Sequence, residues 1–313
     1  MEYLIVSLLN GVVYGLLLFM VSAGLTLIFG MMGVLNFAHA SFYMLGAYFA
    51  YALQGSLGFW PALAVSPLLV AGIGVAVERY ILRRVHHHGH AHELLLTFGL
   101  AFIIAELVKL FFGNFPVDYR IPSALDVAAF RIGGADYPAY RLLMGGIALA
   151  MFAVVWLLLT RTRVGIVVRS AIYRPRMAEA LGHNVPLVFM GVFGFGAGLA
   201  GLAGAAAGAF YTTNPNMALE LGVMVFVVVV VGGLGSLEGA MAASLLIGVI
   251  TSLSVAIDQS LADFFALFGF RDWAEQIGGL MTLKVSSLAA TIPFALMLLV
   301  LLVRPSGLMG EKN

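Results

Sequence analysis

Four polar side chains interrupt an otherwise apolar run near the start of the chain. The stretch GVLNFAHASFYMLGAY, residues 33–48, contains Asn36, His39, Ser41 and Tyr43. Helical spacing would place Asn36, His39 and Tyr43 on one face. Hydrogen-bonding groups within hydrocarbon usually face a bundle interior or a water-filled cavity. We predict that these four residues line a translocation pathway; the alternative is that they only hydrogen-bond neighbouring helices.

A glycine-rich segment, GGLGS at 232–236, follows a run of valines. Each of its three glycines costs about 1 kcal/mol of helix stability relative to alanine, so a straight helix is disfavoured here. We predict a hinge or a re-entrant turn, and close helix packing is the alternative. The residues concerned are Gly232, Gly233, Gly235 and Ser236. Gly30 and Gly33 likewise permit a helix break just before the polar stretch.

A basic segment, RTRVGIVVRSAIYRPRMAEALGHNVP, occupies 161–186. Pro175 near the start, helix formers from Met177 to Leu181 and Gly182 at the end predict a short helix. From composition alone, this helix is either a functional surface or a plain connector between two apolar segments.

Composition identifies the elements that must position these residues. The chain has 313 residues, of which 62% are hydrophobic and 10% charged, and its mean hydropathy is +1.04. Soluble domains carry about 25% charged residues, so the sequence predicts an all-α, polytopic membrane protein. The net charge of +1 and the lack of a basic tail give no indication of nucleic-acid binding.

Charge-free runs mark the membrane segments. A helix needs roughly 20 apolar residues to cross the bilayer, and this criterion predicts eight or nine crossings in one transmembrane domain, 1–313. The nine segments are 4–29, 36–53, 62–82, 94–113, 140–160, 187–211, 219–234, 239–257 and 280–303. Arginines cluster at 79–92 and 161–176, and cations also occur in the C-terminal tail. The positive-inside rule therefore predicts that these stretches and the C-terminus are cytoplasmic, while the side of the N-terminus stays open.

Several motifs resemble chemical sites without their required context. GAGLAG at 196–201 matches a dinucleotide-binding pattern, but no strand precedes it, and small residues across 191–208 predict a packing seam. The phosphate-binding loop of ATPases is absent, so we expect no enzyme activity and no cofactor on this chain. Any ATP and Mg²⁺ would bind other polypeptides. The histidine-rich stretch His86–His92 either binds a divalent metal or forms a solvated cationic loop.

Four motifs in order resemble one family. They are GLTLIFGMMGVLNFAHASFYMLGAY at 24–48, R-x-G-x-x-x-R-S at 163–170 with P-x-M-A-x-A-L-G-x-N-V at 175–185, FVVVVVGGLGSLEGAMAASLLIG at 226–248, and VRPSGLMG at 303–310. The chain resembles LivH-type permeases, the membrane subunits of branched-chain amino acid ABC importers (the Liv, or HAAT, family). His183, Ala40, the histidine-rich stretch and residues 258–280 depart from the family pattern.

The resemblance implies a bacterial inner-membrane importer with several subunits. A second, LivM-like permease (a paralogue or a second copy), two ABC ATPase subunits and a periplasmic solute-binding protein would be the partners. The segment 161–186 would couple to an ATPase subunit through Arg169, Arg174, Arg176, Met177, Glu179, Leu181 and Gly182. The solute would be a branched-chain amino acid, with amides, urea or small aromatic acids as alternatives. A stand-alone secondary transporter is the alternative class; it normally requires ionisable residues within its spans, and this chain has almost none there.

Overall fold

The computed structural model describes residues 2–132, 135–173, 175–257, 259–266 and 271–310, which form a helical bundle with one small β-hairpin. The α-helices of at least six residues in the described ranges are α1 (Glu2–Met32), α2 (His39–Leu57), α3 (Phe59–Val77), α4 (His90–Phe112), α5 (Ala139–Arg161), α6 (Arg163–Tyr173), α7 (Pro175–Ala180), α8 (Val185–Ala207), α9 (Met217–Gly232), α10 (Leu237–Ala256), α11 (Leu261–Ala266), α12 (Arg271–Ile277) and α13 (Ile292–Val303). A π-helical turn (Glu78–Leu82) and a short helical turn (Arg83–Val85) extend α3. Each of the nine apolar segments contains a helix, although the last one is helical only in its second half.

Six helices in the described part of the chain are long and apolar enough to cross a membrane unaided: α1, α3 with its extension to Val85, α4, α5, α8 and α10. The apolar helices α9 and α13 are shorter, at 16 and 12 residues. At 1.5 Å per residue they extend about 24 and 18 Å, less than the roughly 30 Å of hydrocarbon. The sequence predicts a ninth segment from residue 280, but short 3₁₀ turns occupy Gly279–Met281 and Val285–Leu288, and the helix begins at Ile292.

The centre of the bundle consists of α1 and α8. In the 18-residue apolar stretch of each of these two helices, 56% of the residues are buried, against 17% in the peripheral α4. Small residues on α8 allow this packing: a Cβ atom on Gly204 would lie 1.8 Å from the carbonyl oxygen of Tyr43, and one on Gly201 would lie 2.8 Å from Val70. The packing seam, which the sequence predicts at 191–208, is confirmed over 194–208, with α1, α2 and α3 as its partners, whereas Gly191 makes no such contact.

Contacts between distant segments define the two ends of the bundle. Gly30 touches Gly235, and Gly233 touches Gly310, while Arg83 donates a hydrogen bond to the carbonyl oxygen of Pro186 at 2.8 Å. The arginine-rich stretch 79–85, the described residues 161–173 and 175–186, and the segment 304–310 therefore lie at one end, which we call the basic end.

The opposite end carries a feature that the all-α expectation did not include. Two short strands, β1 (Ala128–Ile132) and β2 (Ala135–Pro138), form an antiparallel hairpin there. Nearby, Val117 pairs with Thr213, and the Tyr119 hydroxyl donates a hydrogen bond to the carbonyl oxygen of Ala205. These contacts attach the loop between α4 and α5 to the end of α8.

Candidate functional site

The break between α1 and α2 places the start of α2 inside the bundle. Helix α1 ends at Met32, and Gly33 adopts a φ of +65°, which disfavours other residues. The non-helical residues 33–38 then return along α1, so that the His39 ring contacts the carbonyl oxygen of Val21 at 2.9 Å. Val21 precedes Met32 by about three helical turns, or about 16 Å. Helix α2 therefore begins inside the bundle, about three helical turns from the end of α1.

Asn36 lies just before α2 rather than on the predicted helical face. Its Oδ1 atom accepts a hydrogen bond from the backbone N–H of Ala38 at 3.0 Å, as in an Asx turn. This contact fixes the orientation of the side-chain amide, because the N–H is a donor and requires the oxygen. The side chain is buried, with 3% of the residue exposed, and its Nδ2 donor has no hydrogen-bond partner among the described residues.

The contact of His39 with α1 also fixes its tautomer. Its Nε2 atom faces a carbonyl oxygen, which only accepts, so Nε2 carries the proton. In the neutral ring, Nδ1 is then a hydrogen-bond acceptor. This atom is buried and has no partner in the described part of the chain. One donor, on Asn36 just before α2, and one acceptor, on His39 at the first position of α2, are thus buried without a partner among the described residues.

A cavity of about 240 Å³ lies beside the start of α2. Asn36, His39 and Ser41 line it at the start of α2, and the rest of its wall is largely apolar. That wall includes Leu25, Phe98, Phe102, Val223 and Phe226. The cavity opens between α4 and α9, where Phe98 and Phe102 are about half exposed.

Tyr43 is not part of this cavity. It is almost fully buried, and its backbone packs directly against Gly204 of α8. The structure therefore brings together three of the four residues predicted to line a pathway. The fourth faces the packing seam, since α2 must place one side of its helix against α8.

Within the segment 161–186, residues 163–173 and 175–180 form α6 and α7 at the basic end. Ala178 on α7 packs with Ala171 and Val185, which anchors the short helix to its neighbours. Gly182 ends the element with a φ of +86°, and His183 N–H donates to the carbonyl oxygen of Ala178 at 3.0 Å. These contacts form a helix C-cap.

Four of the predicted coupling residues project from the protein surface. Met177 is 53% and Leu181 is 72% exposed, and Arg176 and Glu179 are exposed beside them. We call these four residues the α7 surface. Arg174 lies outside the described residues.

Arg169 lies elsewhere than the α7 surface. It lines a second cavity, of about 500 Å³, together with Gly235, Ser236 and Glu238. The Glu238 carboxylate accepts a hydrogen bond from Trp156 at 3.2 Å in the same region. Arg169 therefore lies beside the chain's own glycine-rich segment rather than among the residues that α7 presents to the outside.

The glycine-rich segment forms a tight turn between α9 and α10. Gly233 and Gly235 have φ angles of +104° and +86°, and the Ser236 hydroxyl caps α10 by accepting from the Gly239 N–H at 3.0 Å. A Cβ atom on Gly235 would lie 2.7 Å from the Cα atom of Gly30. The turn and the close packing, which the sequence left as alternatives, occur together.

A buried charge network at the basic end was not predicted. Glu78 and Glu93 are each only 2% exposed. Arg83 pairs with Glu78 at 3.1 Å, and His86 contacts Glu93 at 2.5 Å while His90 lies 3.4 Å from the same carboxylate. Glu78 and Arg83 are five residues apart, which suits the π-helical turn at Glu78–Leu82 but not the i, i+4 spacing of a sequence search.

Comparisons with known proteins agree with the motif resemblance. The family described as "Branched-chain amino acid transport system / permease component" matches residues 7–301. The chain is 27% identical to the high-affinity branched-chain amino acid transport system permease protein LivH of Salmonella typhimurium, over 99% of this chain and 97% of the relative. BraD of Pseudomonas aeruginosa is 26% identical, over 98% and 96%. The probable LivH of Methanocaldococcus jannaschii is 26% identical, over 96% and 91%.

Proposed function

Because this chain belongs to the permease family of branched-chain amino acid transport systems, we propose that it carries leucine, isoleucine and valine across the bacterial inner membrane. It is a membrane-spanning permease subunit of an ABC importer. The observation that carries the substrate proposal is the family match across residues 7–301. The largely apolar cavity beside α2 supports a solute with an aliphatic side chain.

In the proposed assembly, this chain works with three kinds of protein subunit and with the surrounding lipid. A LivM-like permease completes the pathway, a periplasmic protein delivers the solute, two ABC ATPase subunits bind ATP and Mg²⁺, and lipid surrounds the bundle. The opening of the cavity at the side of this subunit, between α4 and α9, supports a pathway that a second permease closes. This chain itself holds no cofactor in the proposal, and its C-terminus is cytoplasmic.

The α7 surface is the proposed contact with an ATPase subunit. Two exposed apolar side chains beside an arginine and a glutamate suit a protein interface with an apolar centre and a polar rim. The anchoring of α7 through Ala178 makes it a rigid element. Closure of the ATPase dimer would then move α6–α8 as a unit and bias the bundle between two states.

Reconstitution of the complete transporter tests this function. The chain is purified with a LivM-like permease and two ABC ATPase subunits and placed in proteoliposomes with ATP on the ATPase side. Binding protein and radiolabelled leucine are then supplied on the other side. We expect uptake that requires ATP hydrolysis and is inhibited by isoleucine and valine. Uptake without the ATPase subunits would indicate a secondary transporter, and uptake of urea or amides instead of leucine would overturn the proposed substrate.

A further inference from the structure

The cavity beside α2 ends in aromatic side chains on its basic side. Among the residues that line it, Phe98 is the residue of α4 nearest the basic end, and Phe226 is the residue of α9 nearest that end. Helix α4 begins there, shortly after residues 79–85, and α9 ends there, against the segment 304–310. The two helices therefore each place a phenylalanine at the same end of the cavity.

The ring of Phe37 bridges these two phenylalanines. It stacks on the Phe226 ring, with the ring centroids 6.1 Å apart, and meets the Phe98 ring edge-on at 6.3 Å. All three side chains line the cavity, and Phe37 and Phe98 are 47% and 49% exposed. The rings thus form a row across the gap between α4 and α9, between the cavity and the basic end.

Phe37 lies outside any helix, in the non-helical residues 33–38 between α1 and α2. Its backbone N–H donates a hydrogen bond to the Thr97 hydroxyl on α4 at 3.3 Å, and that hydroxyl donates to the Leu94 carbonyl oxygen at 3.1 Å. Thr97 is fully buried, so a fixed side chain of α4 positions the backbone that carries the Phe37 ring. Ring contacts of this kind are weak, and the ring is therefore held less firmly than a helical core residue.

The contacts of α4 continue toward α7. Thr97 lies one helical turn after Glu93, whose carboxylate contacts His86. Arg83, one turn before His86, donates a hydrogen bond to the carbonyl oxygen of Pro186, just after α7. Chains of hydrogen bonds and ion pairs can carry a displacement between distant sites. A movement of α7 therefore has a continuous set of contacts through which it reaches the hydrogen bond that positions Phe37.

We propose that Phe37, Phe98 and Phe226 form a hydrophobic gate at the basic end of the cavity, with Phe37 as its moving part and Thr97 as its positioning residue. An apolar constriction blocks a polar solute because it excludes the water that would hydrate the solute. The zwitterion of an amino acid then leaves the cavity toward the basic end only after the Phe37 ring has moved. The gate rests on the proposed function, because it requires the cavity to be the pathway of the solute.

The reaction of a cysteine inside the cavity tests the gate. The chain contains no cysteine, and Val223→Cys places one thiol in the cavity wall, where Val223 is 53% exposed and lies about one turn before Phe226. The complete transporter is placed in inverted vesicles, in which the basic end faces outward in the proposed orientation, and a small charged methanethiosulfonate is added. Mass spectrometry of this chain measures the labelling, so cysteines of other subunits do not interfere.

Removal of one ring should expose this thiol. We expect slow labelling of Val223→Cys alone and labelling at least about tenfold faster when Phe37→Ala is added, because the ring is the barrier. Phe226→Ala should have the same effect from a different helix, so the test does not depend on the folding of one variant. Right-side-out vesicles should show no such increase. Fast labelling with all three rings present, or an unchanged rate in both alanine variants, would overturn the gate.

Two substitutions of Thr97 test its positioning role. Thr97→Val keeps the shape but removes the acceptor of the Phe37 N–H, and it should speed labelling several-fold. Thr97→Ser keeps the hydroxyl and should label at the original rate. Phe111→Ala is the control for the loss of an aromatic ring, because Phe111 is 76% exposed on α4 and lies outside the cavity wall. Equal rates in the valine and serine variants would exclude positioning by the hydroxyl.

Transport separates the gate from the proposed function. Phe37→Trp enlarges the ring, and it should reduce ATP-driven leucine uptake several-fold while ATP hydrolysis stays within about twofold of the wild type, because the passage of the solute is slowed. Unchanged uptake by this variant would show that leucine does not pass the ring. A wild-type complex that imports no leucine would overturn the proposed function, whereas normal import together with unchanged labelling would overturn the gate alone.

Discussion

At the scale of single residues, glycines determine how closely the central helices approach. The absent side chain of Gly204 lets α8 touch the backbone of α2, whereas a Cβ atom added to Gly191, on the same helix, would meet no described atom within 4 Å. In lipid, helices associate through such close packing rather than through hydrophobic exclusion from water. Gly204 is therefore required for the packing of α8 against α2, whereas Gly191 only lowers the helix propensity of α8.

Gly204→Ala is expected to destabilise the protein by about 1–3 kcal/mol, because its methyl group would overlap a backbone carbonyl that cannot rotate away. Gly191→Ala is expected to be neutral or to stabilise α8 by up to about 1 kcal/mol, since alanine favours helix. Both effects are measured by thermal unfolding in detergent, with the loss of monodisperse protein as the signal. Equal melting temperatures for the two variants would contradict the packing of α2 against α8.

Tyr119 fixes the loop before the hairpin to α8. Its hydroxyl donates to the Ala205 carbonyl oxygen at 2.8 Å, and burial raises the pKa of Tyr119 above its ordinary value of 10.0. The contribution of the protonated hydroxyl to stability is thus complete below pH 10 and is lost as the pH rises toward the folded-state pKa.

Tyr119→Phe should cost about 1 kcal/mol, because it leaves the Ala205 carbonyl without this donor. Melting temperatures at pH 7 and above pH 10 check the expectation: the difference between wild type and variant should shrink at high pH. A variant as stable as the wild type at pH 7 would show that water replaces the hydroxyl without loss.

At the scale of elements, the turn between α9 and α10 supports the C-terminal segment. Leu308 and Met309 donate backbone hydrogen bonds to the carbonyl oxygens of Val231 and Gly232, and a Cβ atom on Gly233 would lie 2.4 Å from the Gly310 nitrogen. The glycines at this turn are therefore required both by backbone conformation and by the chain that packs on them.

Gly233→Ala should release the C-terminal segment, and hydrogen–deuterium exchange of the peptide that contains Leu308 and Met309 should become faster. Gly58→Ala is the matched control, since Gly58 also has a positive φ, +82°, but a Cβ atom there would meet no described atom within 4 Å. Unchanged exchange in Gly233→Ala, or equal acceleration in the control, would show that strain alone explains the requirement for glycine.

The sequence predicts the helices of this protein much better than their breaks. Apolar runs locate a helix in each of the nine predicted segments because the bilayer requires about 20 apolar residues per span, but the last helix begins only at Ile292. The return of residues 33–38 along α1 depends on tertiary contacts such as the one between Phe37 N–H and Thr97, 60 residues apart. Helical periodicity predicts Asn36 on a helix because it takes no account of contacts between residues distant in sequence. It also does not place Tyr43 outside the cavity, because the position of α8 cannot be read from the periodicity of α2.

At the scale of the whole molecule, the α7 surface is the proposed point at which ATP hydrolysis moves the bundle. Replacing Met177 and Leu181 together by Asp should prevent binding of the ATPase subunits, because two charges would occupy the apolar centre of the interface. The control is Val127→Asp, a residue that is 54% exposed at the opposite end. Co-purification of ATPase subunits measures the effect, and full retention by the double variant would exclude this surface as the contact.

Cross-linking of the α7 surface to an ATPase subunit tests the central claim most directly. The chain contains no cysteine, so Glu179→Cys introduces a single reactive thiol, and a short bifunctional reagent is added to inverted vesicles that contain the complete transporter. We predict a cross-linked product between this chain and an ATPase subunit whose yield changes with ATP. Reaction of the thiol only from the periplasmic side, or no product in a complex active in transport, would contradict the claim.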